Sequence, residues 1–230
     1  MQQTALNLIA IGIFVMTFSA LLSPILNISP AIPAVTTLAV LSIATFDSFR
    51  LQGKGATLLL DWLAGVRSEH RDRIIRHEAG HFLVAYFLGI PITGYTLTAW
   101  EAFKQSQPGL GGVTFDTQTL SSETLPVGEM RLNLERFCTV WMAGIAAEKL
   151  IYGSAEGGVE DRQKLTEALI SLGRPASESQ IKERWAIRQA QSLIEQNLAS
   201  YEALIVAMKQ RASVADCCMV IQQHCQNEAV

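Results

Sequence analysis

No Asp, Glu, Lys or Arg occurs between Met1 and Phe46, so all 18 basic and 21 acidic residues of the chain lie beyond that stretch. A charge-free stretch of this length lacks the surface of an ordinary soluble domain. Ala5 to Leu26 is long enough to cross a hydrocarbon core, which takes about 20 residues. Asn27-Ile28-Ser29-Pro30 makes a turn. Ala31 to Phe46 is a second, shorter apolar run, suited to a short span or to a re-entrant or interfacial helix. A cleaved secretory signal is the competing reading. It asks for a basic start and a single apolar core. Met1-Gln2-Gln3-Thr4 carries no basic side chain, and a second apolar run follows at once. Residues 1–54 are therefore expected to form a lipid-embedded hairpin, and residues 55–230 a separate domain. Arg50, Lys54, Arg67, Arg71, Arg73 and Arg76 all follow the hairpin. The positive-inside rule then puts the larger domain on the cytoplasmic side of a membrane, or its organellar equivalent.

The remainder has ordinary soluble composition. A formal net charge of −3 and the lack of a basic aromatic patch argue against a nucleic-acid partner. Cys138, Cys217, Cys218 and Cys225 show no Cys-x-x-Cys spacing and are expected to be free thiols. Cys217, Cys218, His224 and Cys225 do not match a zinc-binding spacing. Gly53-Lys54-Gly55 fails the phosphate-loop pattern, so ATP binding by this chain is not expected.

The chemistry concentrates at His77-Glu78-Ala79-Gly80-His81. Two histidines four residues apart on a helix stack on one face, one turn apart, and both imidazoles reach a single metal ion. Zn²⁺ is the usual occupant. Glu78, beside the first ligand, has the reach of a general base for hydrolysis by a metal-activated water. The helix is expected from Ser68 to about Leu88, with Ser68 as N-cap, Gly89 as C′ residue and Pro91 beyond it. Apolar Phe82, Leu83, Tyr86 and Phe87 make it buried nearly all round. Two histidines and a glutamate on one side of a buried helix need partners, and a metal satisfies them. His70 lies two turns before His77, too far for the same ion, and is read as solvent-facing.

Gly94–Trp100 and Gly111–Asp116 read as two strands of a small sheet, whose edge could pair with an extended peptide or serve structure alone. Leu134, Phe137, Trp141 and Ile145 mark one helix from about Met130 to Tyr152. Glu148 continues that stripe, which is odd for a carboxylate unless it faces something polar. Further helices are expected from Glu160 or Asp161 to Leu172, and over 177–197, 200–211 and 213–226. A catalytic zinc needs three protein ligands and an open position. By chemistry alone the third is Glu148, Glu156, Glu160 or Asp161, and the spacing does not choose.

His77-Glu-Ala-Gly-His81, the segment Ala143-Gly-Ile-Ala-Ala-Glu-Lys-Leu-Ile-Tyr-Gly153 and Gly157-Gly-Val-Glu-Asp161 occur in this order. Together they resemble the peptidase domain of FtsH-type, ATP-dependent zinc metalloproteases of membranes, over roughly residues 69–225. Gly111–Phe115 resembles, more weakly, the strand beside that family's substrate groove. The resemblance implies a mainly α, zincin-like domain with a small β-hairpin, preceded by an N-terminal membrane hairpin. It implies His77, His81 and Asp161 as the metal ligands, with Glu148 supporting or packing nearby rather than ligating. The family carries an AAA ATPase between its membrane segments and its peptidase, and only about twenty residues separate Phe46 from Ser68 here. The chain is similar to the AAA-less relatives of photosynthetic organisms. Processive degradation of folded proteins and the family's hexameric ring are not carried over.

The expected function is a membrane-anchored zinc endopeptidase, with Glu78 catalytic and unfolded or membrane proteins as substrates. Two alternatives stand beside it. One is a non-proteolytic zinc-binding assembly factor or adaptor of a membrane complex, able to dock on a separate ATPase. The other is a site-2-type intramembrane protease. Its Asn-Pro-Asp-Gly type motif is absent here, and Glu69, Arg71, Asp72, Arg73 and Arg76 flank the motif as they would in a soluble domain.

Overall fold

A computed structural model of the protein describes residues 2–22, 29, 31–32, 35–40, 42, 68–104, 112–117 and 126–227. The chain divides into two units, Met1–Arg67 and Ser68–Val230.

In the first unit the charge-free start forms helix α1, Gln2–Leu22. Ile11, Ile13, Phe14, Val15, Phe18 and Leu21 are exposed on it. Residues 31–32, 35–40 and 42 are also helical. Among the described residues, no helix is long and apolar enough to cross a membrane. The expected hairpin of two spans is therefore not found there, and residues 1, 23–28, 30, 33–34, 41 and 43–54 of it lie outside the described residues.

The described residues of the second unit are mainly helical, with a small two-stranded sheet. Its axis is α2, Ser68–Phe87, which packs against four other helices. These are α4 (Val127–Trp141), α5 (Ala143–Tyr152), α7 (Ser179–Gln196) and α8 (Leu198–Lys209). Ala79, Phe82, Leu83, Val84 and Ala85 of α2 are fully buried. Removing a Phe or Leu side chain from water stabilises the fold by about 1.5–3 kcal/mol each. The α2 C-terminus is closed as the sequence predicts. Gly89 adopts φ +69°. The Gly89 N–H donates to the Tyr86 carbonyl at 3.2 Å, and the Ile90 N–H to Ala85 at 3.0 Å. That pair is a Schellman cap.

The remaining elements are β1 (Ile92–Tyr95), α3 (Ala99–Lys104), β2 (Val113–Phe115), α6 (Val159–Ser171) and α9 (Val214–Asn227). A short 3-10 turn, Ala176–Glu178, leads into α7. β1 and β2 pair antiparallel, with an irregularity at Thr93.

Two expectations are corrected. The strand expected over Gly94–Trp100 ends at Tyr95, and Ala99–Lys104 is helical instead. Thr98 Oγ1 accepts the Glu101 N–H at 3.1 Å, and the Glu101 carboxylate reaches back to the Leu97 N–H at 2.8 Å. The Thr98 cap, with the Glu101 carboxylate holding the residue before it, starts a helix where alternation alone suggested a strand. The single helix expected over residues 130–152 is two, α4 and α5, hinged at Met142 with φ −85° and ψ −3°. The hinge leaves the Val140 carbonyl to accept a hydrogen bond from the His81 ring at 2.7 Å. A side chain entering the helical ladder is a recognised cause of such a break.

Candidate metal centre

α2 supplies His77 and His81, one turn apart, with ring centroids 4.8 Å from each other. Their orientations are set by what each Nδ1 does. His77 Nδ1 lies 2.8 Å from Glu148 Oε1, and His81 Nδ1 lies 2.7 Å from the Val140 carbonyl oxygen. A carbonyl and a carboxylate only accept, so each Nδ1 carries the proton and donates. Each Nε2 is then left with its lone pair for another partner. Both Nε2 atoms converge on one oxygen, Asp161 Oδ2, at 3.4 Å from His77 and 3.5 Å from His81.

Asp161 arrives from the first turn of α6. Its other oxygen, Oδ1, lies 3.4 Å from Lys164 Nζ. The approach depends on two glycines. A Cβ at Gly157 would sit 2.9 Å from Glu148 Oε1, and one at Gly158 would overlap Ile145 at 2.3 Å. Gly158 also adopts φ +89°. A bulkier loop would hold α6, and with it Asp161, away from α2.

Close approach is needed on the α5 side as well. A Cβ at Gly80 would meet the Ala143 carbonyl at 2.7 Å, and one at Gly144 would overlap His77 Nε2 at 2.3 Å. The small-residue segment of α5 therefore lies directly against the motif helix.

Glu148, the carboxylate on an apolar stripe, is 1% exposed. It accepts from His77, from the Glu156 N–H at 2.9 Å and from the Gly157 N–H at 3.1 Å, and Arg73 Nε lies 3.5 Å away. Burial pushes its pKa up, but the bond to His77 and the two N–H donors more than compensate and hold it below the usual range. Glu148 thus remains a carboxylate and supports the His77 ring from behind, as partners of metal-bound histidines do.

His77, His81 and Asp161 are all buried, and their donor atoms lie within 4.8 Å of one another. They form a group that can hold a metal ion. The nitrogen-to-oxygen spacings fit one. Ligands about 2.0–2.1 Å from a tetrahedral ion sit about 3.3–3.4 Å apart, and the two nitrogen-to-oxygen separations are 3.4 and 3.5 Å. Without a cation, a proton takes its part. Burial lowers the His77 pKa, yet the bonds to Asp161 and Glu148 and the nearby Glu78 charge raise it to about 10. Burial likewise raises Asp161, but the two imidazoles outweigh it and depress its carboxyl strongly. Each group holds its charged form because it faces the other.

Of the four candidate third ligands, only Asp161 joins the two histidines among the described residues. Glu148 lies behind His77, and Glu156 contributes its backbone N–H to Glu148. Cys217, Cys218, Cys225 and His224 form no such group among the described residues.

Glu78 is half-buried, and its Oε2 accepts the Val113 N–H of β2 at 3.1 Å. Sequence reasoning missed this link, as it missed the Val140 carbonyl behind His81. Backbone partners leave no trace in residue type. The Gly111-Gly112 doublet ahead of Val113 in the sequence was the available signal.

No protein-family model matches this chain, and no curated protein matches it.

Proposed function

We propose that this chain is a zinc-dependent endopeptidase, with His77, His81 and Asp161 as the zinc ligands and Glu78 as general base. One observation carries the reading: two imidazoles with Nδ1 engaged turn both Nε2 atoms onto a single Asp161 oxygen, beside a glutamate held by a strand. Two nitrogen donors and one carboxylate oxygen make a donor set typical of catalytic zinc, with one position left open. Zinc held there would supply Lewis acidity, activating water and polarising a peptide carbonyl.

The chain's own residues do the rest. Glu148 and the Val140 carbonyl fix the imidazole tautomers and ring planes. Glu78 takes a proton from the attacking water and returns it to the departing amine. Its Oε2 is occupied by Val113, and Oε1 accepts no hydrogen bond from the described residues, which leaves that oxygen for the proton. Unfolded segments are the proposed substrates, since an extended backbone is what reaches a site of this kind without unfolding. A zincin-like fold of the FtsH type, lipid anchoring through residues 1–54 and a cytoplasmic-side peptidase domain belong to the same proposal.

The test uses the full chain in detergent, loaded with zinc, against a panel of unfolded fluorogenic proteins. Wild type should cleave, and Glu78→Gln should retain zinc while losing on the order of 10³-fold in turnover. Zinc-loaded wild type that cleaves nothing, or a Glu78→Gln variant as active as wild type, refutes the proposal. An inactive wild type captured in a stoichiometric membrane complex would favour the adaptor role.

A further inference from the structure

β2 begins against the Glu78 carboxylate. Beyond the Val113 N–H bond, the preceding residue, Gly112, adopts φ +128°, and a Cβ on it would stand 3.1 Å from Glu78 Oε2. Glycine is the residue that lets a backbone come this close in this conformation. It also brings flexibility, since Gly112 has no side chain to anchor it.

The anchor comes from Thr96, just past the end of β1. Its N–H donates to the Gly112 carbonyl at 3.0 Å, and the Gly112 N–H donates to Thr96 Oγ1 at 3.0 Å. Thr96 is 2% exposed, so water does not compete for that hydroxyl. The backbone bond fixes the carbonyl end of Gly112, in the same peptide whose N–H meets Glu78. The hydroxyl bond fixes the amide end, so Thr96 holds Gly112 on both sides.

We propose that Thr96 is a positioning residue for the general base: its hydroxyl locks Gly112, so that the Val113 N–H holds one oxygen of Glu78 and leaves the other for the proton. The inference rests on the peptidase reading for its use, and on the hydrogen bonds alone for its existence. A base displaced from its working geometry costs turnover rather than substrate binding.

The experiment compares Thr96→Val, which keeps the shape and removes the acceptor, with Thr96→Ser, which keeps the acceptor. Two quantities are read on the full zinc-loaded chain: kinetics on an unfolded substrate, and hydrogen exchange of the Val113 amide. Thr96→Val should lower kcat about tenfold or more with KM and zinc stoichiometry unchanged. Its Val113 amide should exchange faster, while Thr96→Ser stays near wild type in both. Equal losses in the Val and Ser variants, a change confined to KM, or an unaltered Val113 exchange rate in Thr96→Val overturns the proposal. The exchange measurement does not need an active enzyme. Faster Val113 exchange in Thr96→Val beside an inactive wild type supports the lock and overturns the peptidase chemistry instead.

Discussion

Replacing Gly144 with alanine should expel the metal while leaving the helices in place. Gly144 is the second residue of α5, and alanine is the better helix former by up to about 1 kcal/mol. On propensity alone the change is favourable. The added Cβ, however, would lie 2.3 Å from Nε2, 2.4 Å from Cδ2 and 2.6 Å from Cε1 of His77. Ordinary contact begins near 3.4 Å, so the ring must retreat by about 1.1 Å (3.4 less 2.3). Glu148 Oε1 stands 2.8 Å from its Nδ1, so the Nδ1 edge of the ring is occupied. Metal–ligand bonds tolerate about 0.2 Å. A ring displaced by several times that amount is no longer a ligand, and affinity should fall by at least about 100-fold. Gly128→Ala is the matched control. It is also the second residue of a helix, α4, and a Cβ there meets nothing within 4 Å. The assay is a zinc titration against a chromophoric chelator, with far-UV circular dichroism on the same samples. Gly144→Ala binding zinc as tightly as Gly128→Ala would refute the steric argument.

Two further outcomes follow from the charges around His77. In the metal-free protein its pKa is raised from 6.5 to about 10, so its contribution to stability is complete below pH 6.5 and lost as pH rises towards 10. Asp161 is depressed, so its contribution is present above its ordinary 3.8 and lost in stronger acid. Chelator-treated protein should therefore show a Tm that declines between pH 6.5 and 10. Zinc affinity should increase over the same interval as the competing proton leaves, and a Tm flat across it in the metal-free protein would contradict the assignment. Glu148→Gln keeps an acceptor for His77 Nδ1 but removes the charge behind it. Zinc affinity should drop about 10- to 100-fold in a chelator competition, whereas an unchanged value would show that Glu148 only packs.

The helices around the site were legible because their signals are local. Gly89 and Pro91 bounded α2, and Gly173 adopts φ +72° just after α6. Asp161 stood among four carboxylates that chemistry alone did not separate, and the family resemblance singled it out. The strand expected at Gly94–Trp100 failed because Thr98 and Glu101 cap a helix within it. The unbroken helix expected across Met142 failed because its break depends on His81, about sixty residues earlier in the chain.

What the sequence by itself determined is the charge-free start, the helix carrying His77, Glu78 and His81, and the chemical kind of site those residues make. Each follows from composition or from spacing within one turn of helix. What the tertiary structure decided is which atoms meet. It brought Asp161 Oδ2 to both imidazoles, set Glu148 and the Val140 carbonyl behind them, and linked Glu78 to Val113 and, through Gly112, to Thr96. These contacts join residues 16 to 84 positions apart in sequence. They depend on glycines at helix crossings and on backbone groups common to every residue, so no pattern of side chains announces them.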